Sequence, residues 1–378
     1  MTSDAAVLLA RAYLSRVAEP PAAALVRFAE EVGPVRAARR VRAGEVSEEV
    51  AALTRARRSV DRAAADLAAA EAAGARLLVP EDPDWPGEPF EAFTACGTPE
   101  HAPPLALWVR GSGRLAVLAD RAVAVVGARA ASGYGVHMAG ELAAGLAADG
   151  YTVVSGAAIG IDGAAHRGAL AVDGATVAVL ACGVERAYPA AHQALLGRIA
   201  DAGLVVSEYP PGAVPARHRF LVRNRLLAGL TAGTVVVEAG LRSGAQRTAS
   251  DALELGRPVL AVPGPVTSGL SAGCHRLIRD GAVLVTRTEE VLEAVAPIGA
   301  ALAAEPAPGP PRLTDGLGEV GVLVHDALPA RAEREAGWLA MEAGVPVGAV
   351  RAALVDLERR GLVEHRDGHW RRPRSASG

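Results

Sequence analysis

The 378-residue chain contains no lysine. Apart from histidine, every cationic side chain is an arginine, which excludes a Walker-type phosphate lysine and a Schiff-base lysine. Cysteine occurs three times, at Cys96, Cys182 and Cys274. An odd number of distant cysteines with no C-x-x-C pair excludes a disulfide frame and a cysteine zinc site, and fits a reducing compartment. Net charge is only −3, which excludes a globally basic polynucleotide binder, so any anion site must be a local patch. No run of about 20 uninterrupted apolar residues occurs, and the start, MTSDAAVLLARAYLSRV, reads as an amphipathic helix without a long apolar core. The expectation is a cytoplasmic protein that does not enter membranes. Asparagine is the rarest residue present, found once, at Asn224. Phe, Tyr and Ile are scarce beside abundant Ala, Arg and Gly, the mark of a GC-rich coding bias. Clusters of the scarce types are therefore informative.

Residues 1–75 read as helices rich in Ala, Leu and Arg, broken at Pro20-Pro21 and Gly33-Pro34. A bridging stretch from 76 to 118 is punctuated by Pro and Trp (DPDWPGEPF, APPLALWVRG). From about 121 onward, short β-branched runs alternate with helical patterns: AVAVV, TVVS, ATVAVL, GLVVSE, GTVVVEA, RPVLAVPG and AVLVT. Each run is almost continuously apolar, as strands buried on both faces must be. Such alternation specifies an α/β fold, an extended Rossmann-like, doubly wound, mainly parallel sheet over 76–296. A Pro/Gly/Ala-rich linker is expected over 297–318. Residues 319–378 read as helices near 319–327, 331–343 and 347–360, followed by a hairpin turning at Asp367-Gly368, a winged-helix pattern.

In doubly wound sheets ligands sit beyond the carboxyl ends of the strands. Three loops there are rich in Gly and Ser. The first is Gly127-Ala-Arg-Ala-Ala-Ser-Gly-Tyr-Gly135, with Arg129, Ser132 and Gly133 ahead of a helix. Its spacing differs from the dinucleotide fingerprint G-x-G-x-x-G, and the next strand ends in Ser155-Gly156 rather than in a ribose-binding acid, which argues against an oxidoreductase. The second loop runs from Ser155 to His166. Asp162 and His166 are four apart on its helix start, so Asp162 is read as charging the helix N-terminus and His166 as bonding to it, rather than as a metal or catalytic pair. The third, Glu238 to Thr248, places Ser243-Gly244 before another helix. In each loop the backbone N–H groups are expected to face an anion.

Between 217 and 247 there are six arginines, Arg217, Arg219, Arg223, Arg225, Arg242 and Arg247, against one acid, Glu238. On a helix starting near Phe220, the positions Val222, Leu226 and Leu230 form the buried side. Arg223 and Arg225 are then expected to flank it, with Phe220 and Asn224 pointing away. An exposed aromatic ring among guanidinium groups suits single-stranded polynucleotide, since arginine meets phosphate and the ring stacks on bases.

VGARAASGYG, SGAAIGIDGAAH, SEYPPG, RFLVRNRLLAGL, VVVEAGLRSGAQRTA and AVPG, in this order, closely resemble the DNA-processing protein A (DprA, or Smf) family over about 100–295. A helical N-terminal domain of the helix-hairpin-helix or SAM type and the terminal winged helix agree with that family's layout. Departures are Cys182-Gly183 in place of a Gly-Gly pair, His192 and His275 where Asn is frequent, and Leu221 in place of a Pro. The resemblance implies a recombination mediator that binds single-stranded DNA and loads RecA on it during natural transformation, with no catalytic activity, cofactor or metal. The partners it implies are single-stranded DNA, RecA, the single-strand-binding protein and a second copy in a homodimer. Carried over by motif, the DNA-contacting positions are Arg129, Ser132, Gly133, Ser155, Gly156, Arg217, Phe220, Arg223, Asn224, Arg225, Ser243 and Gly244. Two other readings stay open: a nucleotide-processing phosphoribohydrolase-like enzyme on the same type of sheet, and a winged-helix transcription regulator.

Overall fold

Each continuous apolar run becomes a strand; the first six are buried on both faces, whereas Val283 and Leu284 of the last are 43% and 49% exposed. The computed structural model describes residues 4–296, 314–330 and 332–373. It divides into two compact units, Met1–Ala304 and Glu305–Gly378.

The first unit opens with helices α1 (Ala5–Val17), α2 (Ala23–Val32), α3 (Pro34–Ala43), α4 (Glu48–Thr54) and α5 (Ala63–Ala72). They are followed by β1 (Ala75–Leu78), α6 (Gly87–Cys96), β2 (Leu107–Arg110) and α7 (Leu115–Asp120). The alternating part comprises β3 (Ala122–Val126), α8 (Gly133–Ala148), β4 (Thr152–Ser155), α9 (Ile161–Ala171), β5 (Thr176–Leu180), α10 (Gln193–Ala202) and β6 (Leu204–Ser207). It continues through α11 (Arg217–Gly229), β7 (Gly233–Val236), α12 (Gly244–Glu254), β8 (Val259–Ala261), α13 (Ala272–Arg279), β9 (Val283–Leu284) and α14 (Thr288–Val295). The nine strands lie in the order β1-β2-β6-β5-β4-β3-β7-β8-β9. Strands β3 to β9 are mutually parallel, and β1 and β2 add an antiparallel edge beside β6. That edge was not anticipated. β1 and β2 are four-residue strands in a Pro-punctuated region, too short to carry a periodic signature.

The doubly wound α/β sheet is as expected. Tyr13, Leu14 and Leu25 of the N-terminal helices share one hydrophobic cluster with Trp108, Ala178 and Val205 of the sheet, so these helices take part in covering a sheet face. Strand order reverses between β3 and β7, which places the topological switch point there.

The second unit consists of α15 (Glu319–Ala327), β10 (Arg334–Glu335), α16 (Ala336–Ala343), α17 (Val347–Arg359), β11 (Glu364–Arg366) and β12 (His369–Arg371). Its core is Val324, Leu328, Leu339, Val350, Leu354 and Leu357. The sheet order β10-β12-β11 adds a short strand where the sequence suggests only helix. Asp367 and Gly368 both take positive φ, 48° and 80°, as a two-residue hairpin turn requires. The stretch 297–313, most of the expected linker, lies outside the described residues. Among the described residues no single helix is long and apolar enough to cross a membrane.

Candidate nucleic-acid interface

Where the strand order reverses, the chain leaves β3 and β7 in opposite directions and opens a groove of about 1050 Å³. Its lining includes Arg129, Arg217, Phe220, Arg242, Ser243 and Arg247. Arg219, Arg225 and Arg247 are paired with Glu19, Glu208 and Asp251. Arg129, Arg217 and Arg242 are exposed and have no ion pair among the described residues. A net positive groove in a slightly acidic protein is the local patch that composition demanded.

Phe220 sits in the first turn of α11, half-buried. The Arg129 guanidinium lies 5.0 Å from its ring centroid. The Tyr188 ring lies 5.3 Å away, tilted by 43°. An apolar hollow of about 260 Å³ adjoins them, lined by Gly156, Ala158, Ile159, Tyr188 and Pro189 among others. Ile159 is 54% and Tyr188 38% exposed, so apolar surface is open to solvent beside cationic side chains. A planar π-face needs this setting to receive a base.

The middle of α11 differs from expectation. Arg223, Asn224 and Arg225 are all buried, at 5%, 7% and 2% exposure. Arg223 reaches inward: its Nη1 donates to Gly156 O at 2.9 Å and to Val179 O, while Nε donates to Asn224 Oδ1 at 3.3 Å. Burial lowers the Arg223 pKa, with Asp162 opposing and Arg129 adding to the fall. A Cβ on Gly156 would collide with this guanidinium, which is why that position holds glycine. Arg225 faces away from the groove and pairs with Glu208 at 2.8 Å. Asn224 does not point outward either. Its Nδ2 donates to Gly244 O at 3.4 Å, tying α11 to the third loop. The arginines are inside because carbonyls and an acid distant in sequence satisfy them.

The Gly/Ser loops also depart from the reading of three free anion cradles. Glu238, 2% exposed, receives the Ser132 backbone N–H at 2.9 Å and the Ser132 hydroxyl at 2.5 Å. The N-terminus of α8, with Gly133 as its first residue, thus already holds a carboxylate. In the second loop, Gly156 N and Ala158 N both donate to Asp162 Oδ2, at 3.1 and 3.3 Å. Burial raises the Asp162 pKa against the pull of Arg223 and these two N–H groups. Ser155 is fully buried and its hydroxyl donates to Val125 O at 2.6 Å. Gly160 at the loop's end adopts φ of 87°, and a side chain there would strike the Ala128 and Arg129 carbonyls. In the third loop the Ser243 hydroxyl caps α12 by accepting from Ala245 N at 3.3 Å, and Gly244 remains exposed. The protein's own acids occupy two of the three N–H sites, so the groove's charge comes from arginine side chains. Asp162 and His166 do not meet: His166 Nδ1 bonds Thr176 Oγ1 at 2.7 Å instead.

Of the positions drawn from motifs, Arg129, Arg217, Phe220, Arg223, Asn224, Ser243 and Gly244 line the groove, and Gly156 lines the adjoining hollow. Ser132, Gly133, Ser155 and Arg225 line neither. The lining residues that went unassigned in the sequence include Tyr188, Arg242 and Arg247. The two arginines lay within the noted cluster, whereas Tyr188 carried no signal beyond being one of five tyrosines.

Fold and site together define a Rossmann-like α/β protein with an arginine- and aromatic-lined groove at its switch point. Residues 76–296 match the family model described as DNA recombination-mediator protein A. A putative DNA processing protein DprA of Mycobacterium tuberculosis is 53% identical over 370 residues, 97% of this chain and 95% of that one. DNA processing protein DprA of Streptococcus pneumoniae is 44% identical over 189 residues, 50% of this chain and 66% of that one. The X-ray structure of DNA processing protein A from Streptococcus pneumoniae is similar with a TM-score of 0.63 at 31% identity, covering 78% of this chain and 99% of that one. The chain belongs to the DNA recombination-mediator protein A family.

Proposed function

We propose that the chain binds single-stranded DNA along the groove and acts as a non-enzymatic recombination mediator that loads RecA onto the strand in the cytoplasm. The observation that carries this reading is Phe220, held half-exposed between Arg129 and Tyr188 on a groove with three further exposed arginines, Arg217, Arg242 and Arg247. Bases in a duplex are already stacked and paired, so a stacking platform beside phosphate-binding arginines favours a single strand. The binding role is supported over a hydrolytic one because Glu238, the acid that opens the third loop, is engaged by Ser132. The winged-helix unit is read as a partner-binding or dimerising module, and the protein as a homodimer that meets strands coated by single-strand-binding protein.

The test is oligo(dT) affinity measured over a salt series. Phe220→Ala should cost about 1–3 kcal/mol, the usual value of one stacked base. Arg129→Ala and Arg217→Ala should each lower the slope of log K against log salt by about 0.7. Wild-type affinity and slope in all three variants would refute the binding site. Strand exchange by the host RecA on ssDNA precoated with single-strand-binding protein tests the mediator role, which fails if the protein gives no stimulation.

A further inference from the structure

Beneath the groove lies a buried polar chain that the binding reading does not use. Asp251 in α12 is 1% exposed at its side chain and forms an ion pair with Arg247, whose Nε lies 2.8 Å from Oδ1. The same oxygen lies 3.2 Å from His101 Nε2. His101 is itself fully buried, with Nδ1 3.0 Å from Thr98 Oγ1 and 3.5 Å from Glu254 Oε2. A carboxylate accepts only, so the ring donates from Nε2 to Asp251. Burial raises the Asp251 pKa, Arg247 and His101 pull it back, and Glu254 adds to the rise.

The geometry of Arg247 turns this chain toward the groove. Its side chain is 46% exposed and lines the groove, while its Nε edge is ion-paired with Asp251. A guanidinium bound through Nε keeps its two terminal nitrogens as a rigid fork for a second oxygen partner. An ammonium has one nitrogen, which a buried carboxylate would capture.

We infer that Asp251, held in place by His101, is a positioning residue that orients Arg247 so that its terminal nitrogens receive a DNA phosphate. This rests on the single-stranded DNA reading of the groove and adds to it a device in which the chemical difference between arginine and lysine decides binding. Network and contact are separable. Loss of a merely structural Asp251 would weaken binding whatever residue stands at 247.

The experiment is oligo(dT) titration of the full chain over a salt series. Arg247→Lys, a surface change, should behave like Arg247→Ala. Each should lower the slope by about 0.7 and the affinity about fivefold near 0.1 M salt. Asp251→Asn should weaken binding in the wild-type background and have no further effect when combined with Arg247→Ala. A wild-type slope for Arg247→Lys overturns the inference, as do Asp251→Asn and Arg247→Ala losses that simply multiply. Should Asp251→Asn fail to fold, as judged by its melting curve, the Arg247→Lys result decides alone. Phe220→Ala and Arg129→Ala, run in parallel, separate the two levels: if they weaken binding while Arg247→Lys does not, only the positioning role falls. If neither weakens binding, the groove reading falls, and the positioning role with it.

Discussion

Arg225 of α11 and Glu208 just past β6 meet at 2.8 Å with side-chain exposures of 2% and 6%, an ion pair sealed from water. Arg225 Nε and Nη1 and Glu208 Oε2 have no further hydrogen-bond partner, so the pair is incompletely satisfied. Such a pair adds little net stability, but removing one member strands a buried charge. Arg225→Ala should therefore lower the unfolding free energy by about 3–5 kcal/mol, read from urea denaturation. Its salt slope for oligo(dT), measured on the folded fraction, should match the wild type. Replacing both residues by Met and Leu should recover much of the loss. A reduced slope at wild-type stability would return Arg225 to the binding surface.

A pH dependence follows from His166. The Thr176 hydroxyl donates to Val153 O at 2.6 Å, so its oxygen must accept from His166 Nδ1. Nε2 is left bare, buried and without a partner. Burial first, then the charges of His192, Arg167 and Arg223, push the His166 pKa from 6.5 down to about 3. Between those values the unfolded chain binds a proton that the folded chain refuses. This contribution is thus fully present above the unfolded pKa and is lost as pH falls toward the folded one, by up to about 1.4 kcal/mol per unit. Urea midpoints should drop from about pH 7 to about pH 5, and His166→Asn, which can still donate to Thr176, should flatten that fall. Equal slopes in the two proteins would show that other groups carry the dependence.

The parallel strands were legible because burial on both faces leaves an unbroken apolar run, as AVAVV at β3 shows. Phe220 stood out as a scarce residue among arginines, and it lines the groove. Arg223 and Arg225 were not legible as buried. Helical periodicity assigns a charge to the solvent side, and their satisfying groups lie elsewhere in sequence: Gly156 O, Val179 O and the Glu208 carboxylate. The Gly/Ser loops misled for the same reason. A sequence displays N–H donors at a helix start but not that Glu238 and Asp162 fold back onto them.

Asn224, the chain's single asparagine, joins two groove elements by accepting from Arg223 Nε and donating to Gly244 O. Alanine there removes both bonds. The expected stability cost is about 0.5–1.5 kcal/mol per bond, measured by thermal unfolding. Amide hydrogen exchange in the 242–245 loop should quicken as its anchor is lost. Oligo(dT) affinity should fall with little change in salt slope, because no charge is removed. Unchanged exchange in that loop would contradict the tether.

Glu238 offers a test that divides binding from catalysis. Its carboxylate takes the Ser132 hydroxyl and N–H at the start of α8, where the helix dipole also favours a negative charge. Glu238→Ala should reduce stability by about 1–3 kcal/mol, because it leaves those donors unsatisfied. It also removes a negative charge from near an arginine-lined groove, so affinity for oligo(dT) should hold or rise. A catalytic acid predicts the opposite pattern: release of free base from nucleoside monophosphates by the wild type, abolished in Glu238→Gln, which retains a side-chain oxygen for Ser132. Detecting that release would overturn the non-enzymatic reading. Its absence, with DNA affinity intact in Glu238→Ala, would leave Glu238 as the internal anion that fixes the α8 end of the groove.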